Sequence, residues 1–306
     1  MLRLVTSRVA FMGLAAVLVV SLSFAMFHLV PGDPAVLVAG ENAPHETLES
    51  VRRAYGFDQP PWVQFLRYAG HLAGGDLGVS IYTRRPVLWV IIPAFLNTIQ
   101  LAGPAMLVAL AASLLLGCLA AMRRNTAIDR LITGASLIGV CTPIFLLALF
   151  GMYIFSVRLR LLPMSGMASW QAYVLPVLTL GIYQAAFLTR MTATSMVDAL
   201  HQDYVRTARA KGASEARVVC LHALPNALLP IITIAGLRFG YTLGGAAVTE
   251  VVFAWPGLGR VIVDSILTRD LPMTQGALLL FALAVIGVNL AVDLLYFTAD
   301  PRLRDG

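Results

Sequence analysis

Few residues in this chain could carry covalent chemistry, and their spacing excludes most of it. Lys211 is the single lysine, in Ala210-Lys211-Gly212-Ala213. A phosphate-binding loop needs Gly-Lys-Ser/Thr after a glycine-rich turn, because the lysine must reach the phosphates. None is present, so any ATP-driven work by this protein needs another chain to hydrolyse the nucleotide. His28, His45, His71, His201 and His222 are scattered and form no zinc-protease motif. No Gly-x-Ser-x-Gly nucleophile elbow occurs. Cys118, Cys141 and Cys220 match no metal or redox spacing, and the first two sit in apolar runs as small hydrophobes. No metal site, and no cofactor bound by this chain, is expected.

The informative polar residues lie elsewhere. Arg238 falls about ten residues into an apolar run, where charge is costly and functional by default. It could line a path and meet a substrate carboxylate, or pair with Asp293 or with a partner chain. Asp293 sits near the inner end of the last apolar run, where a structural contact is favoured. Glu250 ends another run, and pairing with Arg260 or Arg269 leads over a docking role. Trp255, in Trp255-Pro256-Gly257-Leu258-Gly259, reads as part of an interfacial or re-entrant turn. The densest block is Asp203 to Asn226. Tyr204 to Lys211 lacks a helix breaker, Gly212 permits a turn, Ser214 can cap a second short helix, and Leu224-Pro225 closes it. The expected product is a helix-turn-helix elbow.

The elements that must position these groups are set by composition. Of 306 residues, 58% are hydrophobic and 12% charged, with a mean hydropathy of +0.80. A soluble domain carries about 25% charge, so most of this chain is expected in lipid. The net charge of +6 comes from arginines between apolar runs, which fits membrane flanks and not a nucleic-acid surface. A spanning helix needs about 20 apolar residues. Six spans are expected: 9–30, read as an uncleaved helix and not a signal peptide; 98–122, after an interfacial segment; 131–157, kinked at Pro143; 173–188; 228–248; and 275–298. Residues 31–97 form the one long segment between spans, with a short helix near Glu46–Arg53. Twelve basic residues fall on the side of the termini and four on short loops opposite. That bias puts both termini in the cytoplasm and 31–97 outside.

The elbow, within 195–227, resembles the "EAA" coupling loop of ABC importer permeases. The matching positions are Arg206-Thr207-Ala208, Gly212 and Leu224-Pro225; Arg206 replaces the acidic residue of the general motif, as in the peptide branch. Pro31-Gly32-Asp33-Pro34, Gly75-Asp76-Leu77-Gly78-Val79-Ser80, Thr249 to Arg260, and Asn289 to Tyr296 also resemble that branch. The resemblance spans nearly the whole chain. It is to the first permease of dipeptide, oligopeptide, nickel and glutathione importers.

The resemblance implies an all-α, type I importer permease fold forming a single domain over 1–306. It implies a multi-pass protein of the bacterial inner membrane, non-enzymatic itself, that forms half of an uptake path. Implied partners are a second homologous permease, two ABC ATPases that bind ATP and magnesium, and an extracytoplasmic binding protein. Di- or oligopeptides are the expected cargo, with nickel or a metal chelate, or glutathione, as alternatives. Tyr204, Arg206, Thr207, Ala208, Lys211, Gly212, Ser214, Glu215, Leu224 and Pro225 are the expected ATPase-coupling residues. Arg238, Glu250, Trp255 and Asp293 are the candidates for path or gate, and in the family the outer loop around Trp255 resembles part of the external gate. Arg238 departs from the branch, where an uncharged residue is more usual. A secondary transporter or channel, the other class, would need matching broken helices in two halves, and no internal repeat is visible.

Overall fold

The structure, a computed structural model, describes residues 13–22, 24, 25, 33–40 and 43–299. The described chain is helical. In order come α1 (Gly13–Leu22), α2 (Pro34–Ala39), α3 (His45–Tyr55), α4 (Pro61–Ala73), α5 (Val87–Met122), α6 (Ala127–Cys141) and α7 (Ile144–Gly151). Then follow α8 (Gln171–Leu200), α9 (Asp203–Ala210), α10 (Glu215–Arg217), α11 (Leu224–Val252), α12 (Leu258–Leu267) and α13 (Leu271–Ala299). Four of these helices are long and apolar enough to span a bilayer, and the bent α6–α7 pair counts as a fifth. α1 is the described part of the expected first span; the rest of 9–30 lies outside the described residues, as does the tail after Ala299.

Several boundaries differ from expectation. Residues 87–97 are not set apart from the span that follows: α5 is one helix of 36 residues that absorbs Pro93 and Pro104. At 1.5 Å per residue it is about 54 Å long, more than the hydrocarbon core needs, so one end projects beyond it. Pro143 marks a break and not a kink, with α6 and the helix from Ile144 meeting at 102°. Beyond Gly151 that helix continues as π-helix, Met152–Arg158. α8 extends twelve residues past the expected end, to Leu200, and carries Pro176 internally. Leu224-Pro225 does not close a helix. α10 passes through a π-helical turn, Val218–Ala223, directly into α11. Pro225 falls in the first turn of α11, where a missing N–H is tolerated. α2, α4 and α12 were not expected, because short amphipathic helices carry too few turns for their pattern to stand out.

The chain divides into two compact units, Met1–Leu96 with Gly257–Ala284, and Asn97–Pro256 with Val285–Gly306. In the first, Val87, Ile91, Ala94, Leu258, Met273 and Ala277 form the core. Asp270 organises this unit. It is 2% exposed, and no cation pairs with it among the described residues. Its carboxylate accepts from the Ser80 hydroxyl, from the N–H groups of Ile81 (3.2 Å) and Tyr82 (3.3 Å), and from the Met273 N–H (3.3 Å) in the first turn of α13. A buried carboxylate is tolerable when donors surround it. Asp270 thus fastens the 80–85 turn to the start of α13.

The second unit packs α6, α7 and α11 around α8. Close approach depends on small residues. A Cβ on Gly117 would lie 2.6 Å from Thr192, and one on Gly139 would lie 2.7 Å from Ala186. Without a solvent-driven effect between helices in lipid, such backbone proximity supplies the packing.

Candidate functional site

The elbow packs one face into the bundle and exposes the other. α9 follows Gln202 and places Val205 and Ala208 inward, among Met196, Ala199, Val218, Val219, Ala223, Ala227 and Ile231. Their i, i+3 spacing puts both on one face. The opposite face exposes Tyr204, Arg206 and Thr207, whose Oγ1 donates to the Asp203 carbonyl at 3.0 Å. Arg206 lies 3.6 Å from Asp203, with both side chains largely in solvent.

The helix ends as the glycine requires. Gly212 has φ +80°, its N–H donates to Arg209 O at 2.9 Å, and Ala213 N–H reaches back to Ala208 O at 3.2 Å. This is a Schellman closure, which strains any residue but glycine. Arg209 forks onto Glu215 across the turn, Nε to Oε1 at 2.8 Å and Nη2 to Oε2 at 3.2 Å. Glu215 therefore staples α9 to α10. Ser214 occupies the N-cap of α10, yet its side chain makes no capping bond there. Lys211, Ser214, Glu215 and Arg217 are exposed; Leu224 packs against the inner cluster and Pro225 is exposed. Of the expected coupling residues, the structure makes Ala208 and Leu224 packing residues and leaves the others on the surface.

A second polar group lies in the helices. The Arg238 guanidinium carbon sits 3.4 Å above the Phe187 ring of α8. Such stacking is a favourable way to hold a cation in an apolar setting. Among the described residues no carboxylate pairs with Arg238; the side chain of Asp293, the expected partner, lies outside them. One turn on, Thr242 donates to the Arg238 carbonyl at 2.8 Å and accepts from Gln184 of α8. Gln184 Oε1 is buried without a partner among the described residues. Neither Gln184 nor Thr242 was singled out from sequence; a polar residue in each of two spans was the available signal.

Glu250 and Trp255 form a packed corner. Both are fully buried. Thr98 of α5 donates to Glu250 Oε1 at 2.6 Å, and Trp255 Nε1 donates to Asn97 O at 3.0 Å. The Trp255 ring meets Tyr173 edge to face at 4.6 Å. Trp255 is buried within the turn that follows α11: Ala254 there has φ +51°, and the indole packs between the end of α11 and α8.

Comparison with known proteins decides the family. Residues 113–305 match the model of the binding-protein-dependent transport system inner membrane component, and residues 1–102 match its N-terminal counterpart. The chain belongs to this family of permeases. It is 47% identical over 287 residues to the glutathione transport system permease protein GsiC of Salmonella paratyphi A, covering 94% of each chain. It is 46% identical over 283 residues to GsiC of Escherichia coli strain K12, covering 92% of each. The fold is that of solved importers. A chain of the inward-facing MetNI methionine ABC transporter superposes with a TM-score of 0.62 at 18% identity, covering 70% of this chain and 97% of that one. An amino acid ABC transporter with histidines gives 0.54 at 18% identity, over 68% and 92%. The protein is therefore an ABC importer permease with the type I fold, a multi-pass component of the bacterial inner membrane.

Proposed function

We propose that this permease is one half of a path that imports glutathione or a similarly short anionic peptide. ATP, with magnesium, is hydrolysed by two partner ATPases that dock on the elbow. A second, homologous permease completes the path, and a binding protein outside the membrane delivers the cargo. Both termini and the elbow face the cytoplasm in this arrangement, as the loop arginines favour.

The observation that carries the reading is the build of the elbow. Its inner face, Val205 and Ala208, is locked into the bundle, and its outer face, Tyr204, Arg206, Thr207 and Lys211, projects into solvent. The Schellman turn and the Arg209–Glu215 fork keep it from yielding. α10 runs without interruption into α11. A push on α9 is therefore transmitted to a spanning helix, the kind of rigid-body coupling that opens one side of a path and closes the other. On that same helix sits Arg238, a cation without a carboxylate partner among the described residues, suited to a substrate carboxylate. The likeness to glutathione permeases supports an anionic cargo.

The test is reconstitution of the permease with its neighbouring permease, ATPases and binding protein in liposomes. Stimulation of ATP hydrolysis and uptake by glutathione or another short anionic peptide is expected. ATP hydrolysis stimulated only by neutral or cationic peptides would refute the cargo, and uptake without ATPase partners would refute the importer mechanism.

A further inference from the structure

A cavity of about 320 Å³ opens in the first unit, apart from the elbow and from Arg238. Phe24, Phe57, Val63 and Leu271 give it apolar walls, and Arg67, Tyr68 and Arg84 add polar groups to its lining; no carboxylate lines it among the described residues. Neither arginine side chain has a hydrogen bond or ion pair among the described residues. The guanidinium of Arg67 lies against the Gly56 backbone, where a Cβ would stand 2.4 Å from Nη1; Gly56, at φ +69°, keeps that space open. Arg84, also in the lining, is held by the turn that Asp270 fastens. The Tyr68 hydroxyl is shut off from solvent without a partner among the described residues, and burial pushes its phenol up to about 12, so it remains a donor at neutral pH.

The position of the cavity says what fills it. Leu271 and Pro272, in its wall, are the first turn of the span Leu271–Val292, so the cavity lies at one end of a helix long enough to cross the bilayer. α4 beside it exposes Trp62 and Leu66 with Gly70 and Ala73, an apolar stripe one turn apart, as in a helix that lies along a membrane surface. Tyr82 and Trp89 are also exposed in this unit, 72% and 77%, in the manner of an interfacial aromatic belt. Two cations without an ion pair among the described residues, beside apolar walls at the end of a spanning helix, fit a phosphate carrying an acyl tail.

We infer that this cavity seats one anionic phospholipid, its phosphate between Arg67 and Arg84 and an acyl chain against Phe24 and Leu271. The test is native mass spectrometry of the permease, purified with its partners, titrated with phosphatidylglycerol, phosphatidylcholine or glycerol-3-phosphate. One preferentially retained phosphatidylglycerol is expected. In an Arg67→Gln/Arg84→Gln variant its affinity should fall about 25-fold, at roughly fivefold for each arginine near an anionic lipid. Arg84→Gln alone, on an exposed turn, should cost about fivefold and leave assembly intact. Arg53→Gln, an exposed arginine beside Glu49, should change nothing. Equal retention of phosphatidylcholine, displacement by glycerol-3-phosphate, or an unchanged affinity in Arg84→Gln would overturn the lipid site. So would a double variant that keeps its lipid but no longer engages the binding protein, which would make the cavity a protein-docking surface.

Discussion

Asp270→Asn should loosen the 80–85 turn selectively. The carboxylate oxygens divide the donors: Ile81 and Met273 N–H bond Oδ1, while Tyr82 N–H and the Ser80 hydroxyl bond Oδ2. An asparagine can keep the first set by its carbonyl but presents N–H₂ to the second. The Ser80 hydroxyl can reorient; the Tyr82 N–H cannot. The loss is one backbone hydrogen bond to a charged acceptor, together with weakening of the others, at about 2 kcal/mol in a buried site. That corresponds to roughly 30-fold faster opening of the turn. Hydrogen exchange of the intact complex reads this directly. The peptide spanning 78–84 should exchange about 30-fold faster, while α8 and α11 keep their wild-type rates. Unchanged exchange at Ile81 and Tyr82 would refute the assignment of Asp270 as the fastener. Uniform acceleration throughout the protein would refute its local character.

Other outcomes follow from the same geometry. Gly212→Pro cannot adopt φ +80° and loses the N–H that bonds Arg209 O, so the complex should assemble while substrate-stimulated ATP hydrolysis disappears; normal coupling in this variant would remove the elbow from the mechanism. Arg238→Gln should cut glutathione uptake at least tenfold, as expected when one charge-assisted contact is lost, without changing basal ATP hydrolysis in the reconstituted system. Gly117→Leu would drive a side chain into Thr192 and the Thr189 carbonyl, an overpacking of about 1–3 kcal/mol, and should lower the amount of folded permease recovered from membranes. Asp33 caps α2 through Ala35 N–H at 3.0 Å and is bonded by Arg52, which holds its carboxyl below the usual carboxylate range. A depressed carboxylate stabilises the folded state above its unfolded pKa and stops doing so as pH falls through the lower folded value. Exchange protection of the α2–α3 segment should accordingly stay level from neutral pH downward and drop only below about pH 4; in Asp33→Asn, which can still cap α2 but cannot pair with Arg52 as an anion, protection should be lower at neutral pH and the drop should vanish.

Much of this protein is determined by its sequence. Apolar runs separated by arginines admit only helices in a membrane, because backbone polar groups must be satisfied within the segment. The elbow was legible for a similar local reason: Gly212 allows a left-handed turn, and the residues before it contain no breaker. What tertiary structure decided are the matters that depend on neighbours. Whether Pro93 and Pro104 interrupt α5, or Pro143 breaks its helix, turns on what surrounds the freed carbonyls, and the first two are absorbed while the third gives a 102° bend. Trp255 was expected in an interfacial or re-entrant turn and Glu250 in an ion pair or a docking role; that both are buried, against Tyr173, Asn97 and Thr98, was decided by packing. Asp270 was invisible as a fastener because its donors at residues 80–82 lie nearly 190 positions away, a distance that only folding closes. The cavity between Arg67 and Arg84 arises in the same way, from residues that are ordinary in sequence and become a site only when the start of α13 is brought beside them.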